Sequence, residues 1–470
     1  MHIFAPSFNS KTFMLMMKKV LFLFLAFFTL LPLGAQIRGY DVEVKVVPDH
    51  LDWTYKTGET ATFRISVTRS NTLLKDVTID YAAGPEMYQD VKKTGVVLKD
   101  GTLTLKGKMT KPGFYRVDVT AHVGGKDYKG ACGAAFSPEK LVPTTVMPQD
   151  FAAYWQNAIQ EARKVNLNPT KRLLPERCTK DVNVYEVSFQ NIQENWRTYG
   201  ILSVPVDKSG DPAKATKYPA LLRVPGAGVR PYGGDIYSAS QGVITLEIGI
   251  HGISVTMEQK VYDDVFNGAL MCYWNFGMDN RDDSYYKRVV LGCIRAIDYL
   301  EQYTPWNGQK LGVTGSSQGG FLTLSTAGLD KRVTCYAPVH AALCDHTASL
   351  KGVACGWPHY FYGLSVEGLA LRDVWSDNVK SLNTQPSTLN KIITSRYYDG
   401  VNFARLITNE QKGWFSFGYN DDVVPPTTAW ATYNTVTGPK EISPYQATWH
   451  FWFQEQWDEW ENWLLKELKS

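Results

Sequence analysis

At 470 residues the chain is long enough for two or three domains with substantial cores. Its net charge of +3 comes from 49 basic and 46 acidic residues with no basic stripe, which argues against a nucleic-acid partner. The 14 Trp, 26 Tyr and 21 Phe suit sugar stacking and large cores alike.

Residues 1–35 read as a secretory leader. Lys18 and Lys19 precede the apolar run Val20 to Leu31, and Leu33-Gly34-Ala35 offers a small-residue cleavage site. The run is short for a membrane span, and no comparable stretch follows. A secreted or periplasmic protein, with no membrane span once mature, is therefore expected. Seven cysteines show no C-x-x-C pair and no regular framework, so the odd one must lack an internal partner. Cys293 and Cys335 lie in apolar runs, as small buried residues do. No His/Cys/Asp cluster has metal-ligand spacing, and no metal is expected.

From 37 to 138 the pattern is short, alternating and turn-punctuated. Asp41-Val-Glu-Val-Lys-Val-Val, Ala61-Thr-Phe-Arg-Ile-Ser-Val-Thr and Val77-Thr-Ile-Asp-Tyr alternate polar and apolar residues. Val96 to Leu105 reads as a hairpin across Asp100-Gly101. Another strand follows Pro112-Gly113. About seven such strands match a small all-β sandwich of immunoglobulin-like type. Sugar contact, spacing and assembly are all open to it.

Ser137 to Pro143 reads as a linker. From 145 to 470 strands alternate with helices, which indicates an α/β domain with a mainly parallel, doubly wound sheet. Asp150 is positioned to cap the helix that begins at Phe151. Val182 to Val187 and Arg197 to Val204 form an edge pair, and Tyr218 to Val224 and Gly242 to Ile248 are buried strands. Tyr285 to Tyr303 is a long amphipathic helix. Lys310 to Thr314 is a strand that runs into Gly315-Ser316-Ser317-Gln318-Gly319, and a helical run follows from Phe321.

That strand–turn–helix context gives G-x-S-x-G its meaning. The turn is so tight that the residues two before and two after the serine must lack a Cβ. The hydroxyl of Ser317 is thereby held out at a strand end. A serine nucleophile needs a base, and the base an orienting acid. Downstream, Asp421 or Asp422 follows the apolar run Trp414 to Phe417, and His450 precedes the C-terminal helix. The amide of Gln318 and that of Ala227, in the glycine-rich loop Pro225-Gly226-Ala227-Gly228-Val229, are the candidate oxyanion donors. Trp274, Trp357 and Tyr360 are candidate substrate contacts. His251 and His346 read as structural.

The stretches Asp150-Phe-Ala-Ala-Tyr-Trp155, Arg281-Asp-Asp-Ser-Tyr-Tyr-Lys-Arg288, Ser317-Gln-Gly-Gly320 and Asp421-Asp-Val-Val-Pro425-Pro426 resemble the acetyl xylan esterase / cephalosporin C deacetylase family of α/β-hydrolases (carbohydrate esterase family 7). The resemblance covers about two thirds of the chain. It implies a serine esterase that removes acetyl or similar small acyl groups from carbohydrates, with no cofactor. It also implies Ser317 as nucleophile, Asp421 rather than Asp422 as acid, and His450 as base. Family members are often hexameric, so a homo-oligomer is open to this chain. Two motifs depart from the family. Its His-Gly-Tyr oxyanion loop is here Pro225-Gly226-Ala227, and its Arg-Gly-Gln-Gly stretch is Gly249-Ile250-His251-Gly252. Acyl and substrate preference are therefore open. The rivals are a broad carboxylesterase or peptidase on the same fold, and an inactive carbohydrate-binding protein.

Overall fold

The computed structural model describes residues 41–209, 215–363 and 386–470. The expected leader lies outside them. Among these residues no helix is long and apolar enough to cross a membrane, and all seven cysteines are free thiols.

Nine strands fill the N-terminal part: β1 (Val42–Pro48), β2 (Thr54–Tyr55), β3 (Thr60–Arg69), β4 (Thr72–Leu73), β5 (Val77–Pro85), β6 (Val91–Leu98), β7 (Thr102–Lys108), β8 (Gly113–Val123) and β9 (Lys126–Phe136). They form a four-stranded sheet (β1, β3, β4, β7) and a five-stranded sheet in the order β2-β9-β8-β5-β6. Alternation dictates which faces meet. In β3 the side chains of Ala61, Phe63, Ile65 and Val67 are buried, while intervening residues are wetter. They share one core with Ile79, Val117 and Val119 of the opposite sheet.

The expected Val96–Leu105 hairpin does not form. β6 pairs with β5, and β7 pairs with β3 in the other sheet. Gly101 adopts the positive φ of 75° that the turn demands, but the turn carries the chain between sheets.

The remaining strands build one nine-stranded mixed sheet: β10 (Thr170–Leu173), β11 (Val182–Gln190), β12 (Arg197–Pro205), β13 (Tyr218–Arg223), β14 (Ile244–Gly249), β15 (Trp306–Ser316), β16 (Cys335–Val339), β17 (Lys412–Phe415) and β18 (Lys440–Ile442). Their order is β10-β11-β12-β14-β13-β15-β16-β17-β18. Pairing is antiparallel as far as β12–β14 and parallel from β14 onward. β10 forms an edge beyond the pair expected there.

Both faces of this sheet are covered, which explains its unbroken apolar runs. In β13, Leu222 joins a core with Trp155, Val290 and Phe321 on one face. Its neighbour Leu221 joins Trp414, Trp460 and Leu464 on the other. The helix Tyr285–Tyr303 has the expected bounds. Asp150 stands at the N-cap of Phe151–Arg163, as expected, but its side chain makes no capping bond; the carboxylate instead takes a 2.7 Å hydrogen bond from Arg281 Nη1. A fourth apolar cluster joins Phe114, Ala135 and Leu141 to Phe417, Tyr419 and Ala429, seating the N-terminal sheets against the large one.

Candidate active site

Ser317 stands between β15 and the helix Gln318–Leu329, with φ 58° and ψ −122°. A side chain other than glycine is rarely held there, and such strain persists only where surrounding structure enforces it. The enforcement is steric. A Cβ on Gly315 would lie 2.3 Å from the carbonyl oxygen of Val224, and one on Gly319 2.5 Å from the same atom. The two glycines therefore let the Ser317 turn press against the end of β13.

The Ser317 hydroxyl lies 3.0 Å from Nε2 of His450. Nδ1 of that ring is 2.8 Å from Oδ2 of Asp421. Nδ1–H donates to the carboxylate, which leaves Nε2 as acceptor for the serine proton. Asp421 is wholly buried, and its other oxygen accepts the amides of Val423 (3.0 Å) and Val424 (2.8 Å). Asp422 is exposed. The structure thus brings together Ser317, Asp421 and His450, and separates Asp422 from them.

The amide of Gln318 opens its helix, where N–H groups have no intrahelical acceptor. Neither it nor the amide of Ala227 donates a hydrogen bond among the described residues. The two segments are stitched together by the buried Gln318 side chain. Its Nε2 donates to the carbonyls of Pro225 (3.3 Å) and Gly226 (3.4 Å). Its Oε1 accepts from the hydroxyls of Tyr273 (2.6 Å) and Tyr286 (2.9 Å). The sequence marked Gln318 for its amide alone; the side chain turns out to hold the loop that carries Ala227. His251 braces the same loop, with Nε2 3.0 Å from the Gly228 carbonyl and Nδ1 2.7 Å from the Tyr285 hydroxyl. Burial lowers its pKa to about 4, so the ring is neutral.

Trp274, Trp357 and Tyr360 do gather beside this network. The two indoles are 5.0 Å apart, the Tyr360 hydroxyl donates to the Trp274 carbonyl, and Trp274 packs on Tyr273. All three are partly buried rather than open.

His340 was not singled out from the sequence. It follows β16, is buried, and its ring lies 4.5 Å from that of His450 and stacks on Trp452 at 5.9 Å. Burial lowers its pKa to about 4, so it adds a neutral wall beside His450. The available signal was its place at the carboxyl end of a central parallel strand, where α/β folds collect their sites. Ligand atoms of His340, Asp421 and His450 lie within 4.8 Å of one another. Both nitrogens of His450 already serve Asp421 and Ser317, so a cation there would compete with the serine relay.

A family model described as acetyl xylan esterase (AXE1) matches residues 139–466. Acetyl esterase Axe7A of Xylanibacter ruminicola is 36% identical over 416 residues, covering 86% of each chain. That match is longer than the 139–466 span and so reaches into the N-terminal strands. Two solved structures share the fold. The acetyl xylan esterase from Paenibacillus sp. R4 superposes with a TM-score of 0.57 at 23% identity, over 70% of this chain and 98% of its own. Acetyl xylan esterase 1 from Thermoanaerobacterium sp. JW/SL YS485 gives 0.52 at 20% identity, over 71% and 98%.

Proposed function

The chain belongs to the acetyl xylan esterase family of α/β-hydrolase carboxylic ester hydrolases, and from that premise we propose that it deacetylates carbohydrates such as acetylated xylan through an acyl-enzyme on Ser317. His450 takes the Ser317 proton as the hydroxyl attacks the ester carbonyl. Asp421 holds the imidazole in the needed tautomer and balances its charge once protonated. The amides of Gln318 and Ala227 receive the developing oxyanion. His450 then protonates the departing sugar hydroxyl, and water repeats the cycle to release acetate. Trp274, Trp357 and Tyr360 border the acyl and sugar pocket. The observation that carries the reading is the Ser317–His450–Asp421 relay at 3.0 and 2.8 Å.

In this reading residues 1–35 direct export, 37–138 form an immunoglobulin-like accessory sandwich, and 145–470 form the catalytic domain. Ser317→Ala is expected to lower turnover of p-nitrophenyl acetate by on the order of 10⁴-fold or more and to abolish labelling by a fluorophosphonate. Retained turnover in that variant would sink the mechanism. Turnover of p-nitrophenyl acetate without release of acetate from acetylated xylan would instead favour a broad carboxylesterase.

A further inference from the structure

The loop that carries Asp421 is gripped from outside by the N-terminal sheets. Nη1 of Arg116, on β8, donates a 3.1 Å hydrogen bond to the carbonyl of Asn420, the residue before the acid. The same guanidinium lies 5.2 Å over the indole of Trp449, the residue before the base. Asp118 fixes its other edge, with both oxygens at 2.9–3.0 Å from Nε. On β9 the amide of Gly133 donates to Oδ1 of Asn420 at 3.0 Å. A Cβ on Gly133 would lie 2.1 Å from the Tyr419 carbonyl oxygen, so only glycine admits this approach. At the far end of the loop, the buried carboxyl of Glu86 accepts from the Thr427 hydroxyl at 2.7 Å.

We propose that the N-terminal domain is a working part of the active site, in which Arg116 is a positioning residue that sets Asp421 against His450. The proposal rests on the reading of Asp421 as the acid that orients His450. One guanidinium touches the chain immediately before both members of that pair, so it braces their spacing alongside the 3.2 Å bond from the Asn420 amide to the Thr448 carbonyl. Catalytic hydrogen bonds are sensitive to such spacing, and a displacement of about 1 Å can cost 10²-fold in rate.

The test separates positioning from carbohydrate capture, because the two differ on a substrate that contains no sugar. Arg116→Ala is expected to lower kcat for p-nitrophenyl acetate by on the order of tenfold to a hundredfold, with KM within about twofold. Arg116 also lines a cleft of about 320 Å³ between the domains, with Gln89, Lys129 and Trp449. That opening admits a small cation, so added ethylguanidinium should restore much of the lost kcat. Lys129→Ala, exposed in the same cleft, should leave kcat unchanged. If Arg116→Ala does not fold, Arg116→Met keeps the packing on Trp449, removes the donors, and is judged by the same split between kcat and KM. A loss confined to acetylated xylan would overturn the proposal in favour of a sugar subsite. A loss that ethylguanidinium does not restore and that tracks a fall in Tm would overturn it in favour of simple structural support. A wild-type protein inactive on every ester would overturn both this proposal and the esterase reading, whereas an Arg116→Ala protein equal to wild type overturns this one alone.

Discussion

Asp421→Asn is the sharpest perturbation of the proposed relay. Asparagine matches aspartate in shape, and its carbonyl oxygen can keep accepting the amides of Val423 and Val424. Its NH₂ group must then face Nδ1 of His450, 2.8 Å away. Two donors cannot face each other there, so the ring takes the tautomer with the proton on Nε2. That nitrogen now points a hydrogen at Ser317 and cannot accept the serine proton. The alternative flip sets the NH₂ against two backbone N–H groups in a fully buried pocket, which costs a similar desolvation penalty. In serine proteases the corresponding change lowers turnover by about 10⁴, equivalent to about 5 kcal/mol in the barrier. Turnover of p-nitrophenyl acetate is therefore expected to fall by roughly 10³- to 10⁴-fold, on the order of 4 to 5 kcal/mol, with little change in KM. Asp422→Asn, at the exposed neighbour, should stay within about twofold of wild type. Steady-state kinetics on the two variants side by side decide the matter. An Asp421→Asn enzyme within tenfold of wild type, or an Asp422→Asn enzyme as impaired as it, would refute the reasoning.

Two further outcomes follow from buried polar groups. Gln318→Ala removes the tether between the helix Gln318–Leu329 and the loop that carries Ala227, and it strips the acceptor from two buried tyrosine hydroxyls. Stability should fall by about 2 to 4 kcal/mol in urea titration, and kcat by tenfold to several hundredfold, roughly the worth of one weakened oxyanion donor. Burial raises the Glu86 carboxyl to about 8 from its ordinary 4.5, the Thr427 bond and Arg116 opposing it. A raised folded-state value means stability is greatest at low pH and is lost as pH climbs from the unfolded value to about 8. Between pH 6 and pH 9 the wild type should lose about 2 to 3 kcal/mol that Glu86→Gln does not, at about 1.4 kcal/mol per unit. Parallel pH slopes for the two proteins in denaturant titrations would contradict this.

How much of this was legible beforehand depended on distance along the chain. The Ser317 turn, its flanking strand and its helix lie within about twenty residues, and glycine sterics and hydrophobic period are local properties. The turn at Ser317 and the helix Tyr285–Tyr303 were accordingly readable. So was the turn at Asp100-Gly101, because positive φ is a local demand. Its strands' partners were not, because partner choice depends on which faces find a common core. Asp150 does take the N-cap position that the local pattern marks, but its carboxylate turns to Arg281, 131 residues away.

Asp421 and Asp422 are adjacent and alike in sequence, and only the resemblance separated them. In the fold one is fully buried against His450 and the other faces solvent, a distinction that packing alone creates. The Gln318 side chain under the Ala227 loop and Arg116 reaching 304 residues to Asn420 carry no local mark at all, and His340 beside His450 carries only its place after a parallel strand. The sequence by itself determined the longer strands, the helix Tyr285–Tyr303 and the turn that carries Ser317, because backbone sterics and periodicity act over one or two turns of chain. Only the tertiary structure brings the Asp421 carboxylate to His450 and Arg116 to Asn420, because those contacts depend on where distant segments are packed dry against one another.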